Sequence, residues 1–152
     1  MFESYRVRRA TINDLPHIVN FIIQEAVESE GRAADLSKLE NGISTALNNE
    51  AIAIYWMLVD QDSQPVGCTS VVKEWSDWNA GYYWWIQSLF VVPEHRGKGL
   101  LNVMMDAVAV DAKAASSLEI RLYVHRNNAR AIRAYHKAEF QPSDYQIMSK
   151  KL

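Results

Sequence analysis

The sequence predicts a mixed α+β fold, a mixed sheet covered by helices, and three observations predict it. Strand-like alternation and helical spacing interleave along the chain in the order β-α-α-β-β-β-α-β-α-β. One run, "YYWWIQSLFVV", is apolar on both faces, as a central strand must be. A glycine turn, Arg96-Gly97-Lys98-Gly99, then carries the chain straight from that strand into a helix.

Each element has its own signal. "SYRVRRA" alternates and forms the first strand. In "TINDLPHIVNFIIQEAVESE" the residues Leu15, Ile18, Val19, Ile22 and Ala26 recur at helical spacing. Thr11 with Asp14 has the pattern of a capping box at the start, and Gly31 ends the helix. A shorter helix over about 35–48 puts Leu36, Leu39, Ile43 and Leu47 on one side. "AIAIYWMLVD" and "VGCTSVVKEW" flank the turn "QDSQP" and make an antiparallel hairpin. After the central strand and the glycine turn, a helix runs over about 99–115. "LEIRLYV" is a strand, "NNARAIRAYHKAEF" a helix, and "DYQIMSKK" a closing strand. There is no internal repeat or linker, so residues 1–152 are expected to form one domain.

Composition narrows the function classes. With 49% apolar residues the chain has enough material for a core. A formal charge of −2 argues against a general nucleic-acid binder. The one cysteine, Cys68, excludes an internal disulfide and a cysteine-based zinc site, and no metal site is expected. No apolar stretch approaches a membrane span and no signal-peptide pattern opens the chain, so a soluble, cytoplasmic protein without a membrane partner is expected. Charge is uneven. Residues 25–40 hold Glu25, Glu28, Glu30, Asp35 and Glu40 against Arg32 and Lys38, whereas residues 94–140 hold eight Lys/Arg against five Asp/Glu. This pattern fits a cationic ligand near the first stretch and an anionic one near the second, or simply solvated faces of unequal charge.

The glycine turn is the most informative stretch. A helix start presents unpaired N–H groups and a partial positive charge. Glycines let a bulky anion approach that backbone, and Arg96 and Lys98 add mobile positive charge. Such a turn can hold a phosphate or pyrophosphate, although an ordinary strand-to-helix connection looks the same. It is neither a P-loop, which needs Gly-x4-Gly-Lys-[Ser/Thr], nor a dinucleotide fingerprint, because Asn102 stands where a third Gly or Ala belongs.

The wider segment "WIQSLFVVPEHRGKGLLNVMM" resembles the signature of the GNAT superfamily of N-acetyltransferases: an apolar strand, then [Gln/Arg]-x-x-Gly-x-[Gly/Ala], then a helix. Glu94 departs from the first position of that pattern. "RVRRATINDLPHIVNFI" is similar to the family's opening and "VHRNNARAIRAYHKAEF" to its closing motif, so the resemblance covers nearly the whole chain. It implies the GNAT acyl-CoA N-acyltransferase fold, with a central, mostly antiparallel mixed sheet flanked by helices. It also implies acetyl-CoA as co-substrate. By the resemblance, Arg96, Gly97, Lys98, Gly99, Leu100, Leu101 and Asn102 bind the cofactor at its pyrophosphate, and the backbone of Leu89, Phe90 and Val91 pairs with its pantetheine arm.

Asn128 and Tyr135, seven residues apart, lie about two helical turns or ~10 Å from one another on nearly one face. The resemblance gives Asn128 a bond to the coenzyme arm and places Tyr135 near the thioester sulfur. A phenol, with a reference pKa of about 10, can protonate a departing thiolate. On the residues alone, Asn128 is equally a helix cap and Tyr135 a core side chain. The implied reaction is direct attack by an amine, its oxyanion held by a backbone N–H around Val91. The position that holds a basic Glu in many relatives is Gln87 here, and an amide cannot serve as a base. Glu25, Glu28 and Glu74 are candidate replacements; His95 and His125 lie nearer the motifs but fit surface or strand positions.

Trp75, Trp78, Tyr82, Tyr83, Trp84 and Trp85 form a dense aromatic cluster, either a substrate pocket or core plus dimer interface. Period two sends Tyr83, Trp85, Gln87 and Leu89 to one face and Tyr82, Trp84, Ile86 and Ser88 to the other. The layout resembles the diamine and polyamine acetyltransferase branch, with a small-molecule amine as acceptor and a homodimeric state. Acetylation of a protein amino terminus or lysine, and an acyl-CoA-binding module without catalysis, are the alternative readings.

Overall fold

The computed structural model describes residues 4–152. The elements are β1 (Arg6–Arg9), α1 (Leu15–Glu30), α2 (Leu36–Leu47), β2 (Ile54–Val59), β3 (Pro65–Ser76), β4 (Gly81–Val91), α3 (Leu100–Ala114), β5 (Glu119–Leu122) and α4 (Ala129–Lys137). Short 3-10 turns at Ile12–Asp14 and Pro93–His95 precede α1 and the glycine turn. The sheet order is β1-β2-β3-β4-β5; the first four strands are antiparallel and β5 runs parallel to β4.

Local chemistry explains the helix entries. The Asp14 carboxylate accepts the Thr11 N–H at 2.8 Å and the Thr11 hydroxyl accepts the Asn13 N–H, so the expected capping box is present. Asp14 is buried and held by both terminal nitrogens of Arg8, at 2.8 and 2.9 Å. That guanidinium keeps the Asp14 carboxyl below its usual range. Asp35 caps α2 by accepting the Lys38 N–H.

Two cores cover the two sheet faces. On one, Ile18, Val19 and Phe21 of α1 and Ile43 and Ala46 of α2 pack on Tyr55, Met57, Val59, Cys68 and Phe90. On the other, Leu100, Met104, Met105, Val108 and Ala112 of α3 pack on Ile54, Trp56, Leu58, Val66, Val71, Trp84 and Ile86. The bulky Trp56 and Trp84 rings meet in the second core at 6.1 Å, and the Trp56 indole N–H donates to Asp111.

Two sequence expectations need correction. The closing strand over 144–151 does not form; residues 141–152 are exposed and make no ladder. Alternation specifies a strand only where a partner edge exists, and β5 is four residues long. Tyr145 and Met148 of this segment are 84% and 92% exposed. The second correction lies in β4. Its pairing with β3 runs Ser70↔Ser88 and then Val71↔Ile86, so Gln87 is an extra, bulged residue. One added residue inverts the side-chain parity beyond it. Leu89 and Val91 therefore join Trp84 and Ile86 in the α3-side core, while Phe90 enters the α1-side core.

Candidate active site

The bulge divides β4. Tyr83–Ile86 pair with Glu119–Leu122 of β5, and no strand borders Gln87–Val91 on that side among the described residues. Val92 N–H donates to Val66 O, and Ser88 O accepts from the Thr69 hydroxyl; both groups face β3. Alternation turns the main-chain polar groups of Leu89 and Val91 toward the open edge. A ligand arm that supplies its own donors and acceptors can extend the sheet there.

The glycine turn follows that edge. Arg96 N–H bonds Pro93 O and Asn102 N–H bonds Gly99 O. Between them, the N–H groups of Gly97, Lys98, Gly99, Leu100 and Leu101 have no protein acceptor among the described residues. Gly97 and Gly99 have φ of +76° and +72°, the left-handed region that a side chain disfavours. A Cβ on Gly97 would meet nothing within 4 Å, so the space over the turn is open. Gly97, Lys98, Gly99 and Asn102 are exposed; the Leu100 side chain is buried in the core and anchors the helix start. Five bare amides at a helix N-terminus form an anion cradle.

The two cations of the turn differ. Lys98 is exposed and its ammonium donates to the Tyr5 hydroxyl at 3.1 Å, which in turn bonds His95 Nδ1 at 2.7 Å. Arg96 is not the mobile charge expected from the sequence. Its Nε donates to Val91 O at 2.7 Å, its NH2 nitrogen reaches both Glu28 carboxylate oxygens at 2.8 and 3.1 Å, and its guanidinium lies over the Phe90 ring. It latches the turn to β4 and α1.

On α4, Asn128 is the N-cap; its Oδ1 accepts the Ala131 N–H at 3.1 Å. Tyr135 lies two turns further on, half-buried and edge-on to Phe140 at 5.8 Å. Burial, and then the charge of Glu25, raise its phenol above the usual value, so it holds its proton at neutral pH. Of the candidate bases, Glu28 is engaged by Arg96 and Glu74 by the Trp85 indole N–H. His125 is exposed and its ring accepts the Asn127 N–H. Gln87 is exposed at the bulge. Glu25 has no cationic partner among the described residues; burial pushes its carboxyl up to about 7, opposed by the Leu89 main-chain amide.

Sequence reasoning missed a polar row on the α1 side of the sheet. Tyr55, Ser70 and Ser88 stand opposite one another on β2, β3 and β4. Ser70 is fully buried, and its hydroxyl lies beside the Tyr55 phenol without a well-formed hydrogen bond. The row depends on register across three strands, and no local pattern signals it. The aromatic cluster also divides. Trp84 is core, Trp85 stacks on Tyr123 at 4.5 Å, Arg121 lies 3.5 Å over Tyr83, and Trp75, Trp78 and Tyr82 are exposed. A separate groove of about 1550 Å³ runs between α3, β5, α4 and the C-terminal segment, and Tyr135 lines it. None of residues 87–102 borders it; Tyr135 lines the groove and also lies within reach of the Glu25 charge beside the open β4 edge.

Comparison with known proteins agrees with this geometry. Residues 18–140 match the model of the acetyltransferase (GNAT) family. A structure described as a possible acetyltransferase from Clostridium difficile 630 is 28% identical, covers 98% of each chain and superposes with a TM-score of 0.91. A predicted acetyltransferase from Clostridium acetobutylicum, solved with acetyl-CoA, shares the fold at 19% identity, 96% coverage of each chain and a TM-score of 0.77. A ribosomal-protein-alanine N-acetyltransferase from Brucella melitensis shares it at 15% identity, covering 98% of this chain and 99% of its own, with a TM-score of 0.79. Among curated proteins none is significantly similar. No helix in the described residues is long and apolar enough to cross a membrane. The chain belongs to the GNAT acetyltransferase family, enzymes that take their acetyl group from acetyl-CoA.

Proposed function

We propose that the chain moves the acetyl group of acetyl-CoA directly to a small primary amine while both are bound. The observation that carries this reading is the continuity of two main-chain tracts that no strand covers: the open edge at Leu89–Val91, where side chains alone (Arg96 at the Val91 carbonyl, Glu25 at the Leu89 amide) meet the backbone, and the bare amides at Gly97–Leu101. In this reading Gly97, Lys98, Gly99, Leu100, Leu101 and Asn102 hold the diphosphate. Leu89, Phe90 and Val91 align the pantetheine arm through their main chain. Arg96 fixes the angle between turn and strand rather than touching phosphate. The side-chain amide of Asn128 keeps its NH2 group free to donate to the arm.

The chemistry follows from positions. A main-chain N–H of the open edge stabilises the oxyanion as the amine attacks. Holding both reactants along one strand supplies much of the rate by proximity. Tyr135 retains its proton and gives it to the leaving sulfur. Gln87 cannot act as base, and its contribution is the bulge that opens the edge.

The finer acceptor class is a small amine, with a diamine or polyamine as the branch the layout resembles. Three acids of the 25–40 stretch already have local roles: Glu28 holds Arg96, Glu30 holds Arg32, and Asp35 caps α2. A second cationic end is thus weakly provided for, and a monoamine fits better than a polyamine. We also infer a homodimer; the exposed Trp75, Trp78 and Tyr82 support it, and sedimentation tests it, with a monomer at all concentrations opposing it.

Calorimetry with acetyl-CoA, followed by thiol release from a panel of mono-, di- and polyamines, tests the reading. Saturable binding with thiol release from small amines is expected. No binding would remove the enzyme reading, and binding without release would leave only a sensor.

A further inference from the structure

We propose that Glu25 of α1 is the catalytic base that takes the proton from the acceptor's ammonium group. The inference rests on the transfer reading above and adds the group that reading lacks.

Placement comes first. Phe21, Glu25 and Glu28 share one face of α1, at spacings of four and three. Phe21 stacks on Phe90 of β4 with ring centres 5.4 Å apart, and Glu28 binds Arg96, itself lying over Phe90. Glu25 lies between these two anchors and so faces β4 beside the Leu89 amide, on the open edge just past the bulge. Its charge reaches Tyr135 on α4, Tyr55 on β2 and Cys68 on β3. The Tyr55–Ser70–Ser88 row crosses the same face, with the buried Ser70 hydroxyl beside the Tyr55 phenol. The Glu25 carboxylate and the Tyr135 phenol thus lie within electrostatic reach of one another beside the open edge, where the pantetheine arm would place its thioester.

Chemistry supports the assignment. An ammonium has a reference pKa near 10 and must lose a proton before attack. An ordinary surface carboxylate is too weak a base to compete, whereas one buried without a cation is stronger. Glu25 titrates near 7 for that reason. The facing charges are Glu28 on its own helix, which raises it, and Arg96, which is already engaged by Glu28. Cys68, Tyr55 and Tyr135 are neutral there, each pushed up chiefly by burial. Helix α2 meets α1 through Leu39, Ile43 and Ala46, all apolar.

The step balances. Glu25 accepts one nitrogen proton, and the freed lone pair forms the C–N bond. The C–S bond breaks and sulfur takes the phenolic proton of Tyr135. The second nitrogen proton returns to the phenolate oxygen through water, and Glu25 releases its proton to solvent. Ammonium plus thioester gives amide, thiol and one proton.

The test compares Glu25→Gln with the wild type, using the best amine of the panel. At pH 7 the variant should lose about 100-fold in kcat/KM for the amine. The deficit should shrink as pH nears the amine's own pKa of about 10. Acetyl-CoA affinity by calorimetry should stay within about threefold, as expected of a group that acts only on the acceptor. Independently of activity, the Glu25 carboxyl carbon signal, identified by its loss in the variant, should titrate near 7. Unchanged rate and pH profile, a loss equal at every pH, or a carboxyl titrating near 4.5 would each overturn the assignment. If the wild type binds acetyl-CoA but releases no thiol with any amine, the transfer reading falls and the role of Glu25 with it.

Discussion

The two halves of β4 are both largely apolar and have opposite fates. Tyr83–Ile86 is paired on both edges, and Trp84 and Ile86 are buried from it. Past the unpaired Gln87, Ser88–Val91 is paired on one edge only and leads into a turn of unbonded amides. Both halves are rich in apolar side chains, so hydrophobicity does not distinguish them. What differs is one inserted residue. The Gln87 bulge ends pairing with β5, inverts parity, and leaves backbone polar groups for a ligand. The first half builds the fold; the second half is where the fold leaves hydrogen bonds unmade.

Deleting Gln87 attacks this difference most directly. Ile86 would then adjoin Ser88, and regular alternation would keep Leu89 and Val91 on the α3 side and Phe90 on the α1 side, so the core survives and only the bulge is lost. The thermal midpoint should change little, whereas acetyl-CoA affinity should fall by about 100-fold as the open edge straightens. A deletion variant that binds acetyl-CoA as the wild type does would mean that the bulge does not make the binding edge.

Tyr135→Phe sharpens the functional side of the comparison. Thiol release should slow about 100-fold, near 2.7 kcal/mol, while acetyl-CoA affinity stays within about twofold. Equal loss of both would make Tyr135 a packing residue.

A smaller effect appears in stability against pH. The native Glu25 carboxyl holds its proton up to about 7, whereas an unperturbed one releases it near 4.5. Between those values the native state binds more protons, so this group's contribution to stability falls as pH rises. Glu25→Gln removes the cost of the buried charge. The variant should gain about 1–2 kcal/mol over wild type at pH 8 and little at pH 4, read from denaturant midpoints. A gain that does not grow with pH would contradict the burial argument.

Gly97→Ala should have the mildest effect on the fold. Its positive φ costs an alanine about 1 kcal/mol, and no neighbour resists the methyl. Acetyl-CoA affinity should fall about tenfold, because the methyl stands where the diphosphate approaches. Unchanged affinity would place the diphosphate elsewhere.

The same comparison shows what the sequence discloses. The capping box at Thr11, the helical stripe of α1 and the glycine turn are local, and each was legible. The bulge was not, because it exists only in the register of β3 against β4. Period two alone therefore puts Leu89 on the wrong face. The "DYQIMSKK" segment alternates as a strand does but finds no ladder partner. Arg96 looked like free charge because its acceptors, Val91 O and Glu28, come from other elements. Glu25 could be named as a carboxylate in a helix, but its burial against β4 arises from tertiary packing.

Amide chemical shifts during titration with acetyl-CoA test the central claim most directly. The account predicts saturable shifts at Leu89, Val91 and Gly97–Leu101, with Tyr83–Ile86 unmoved. Shifts confined to β5, α4 and the C-terminal segment, or none in the glycine turn at saturation, would contradict it.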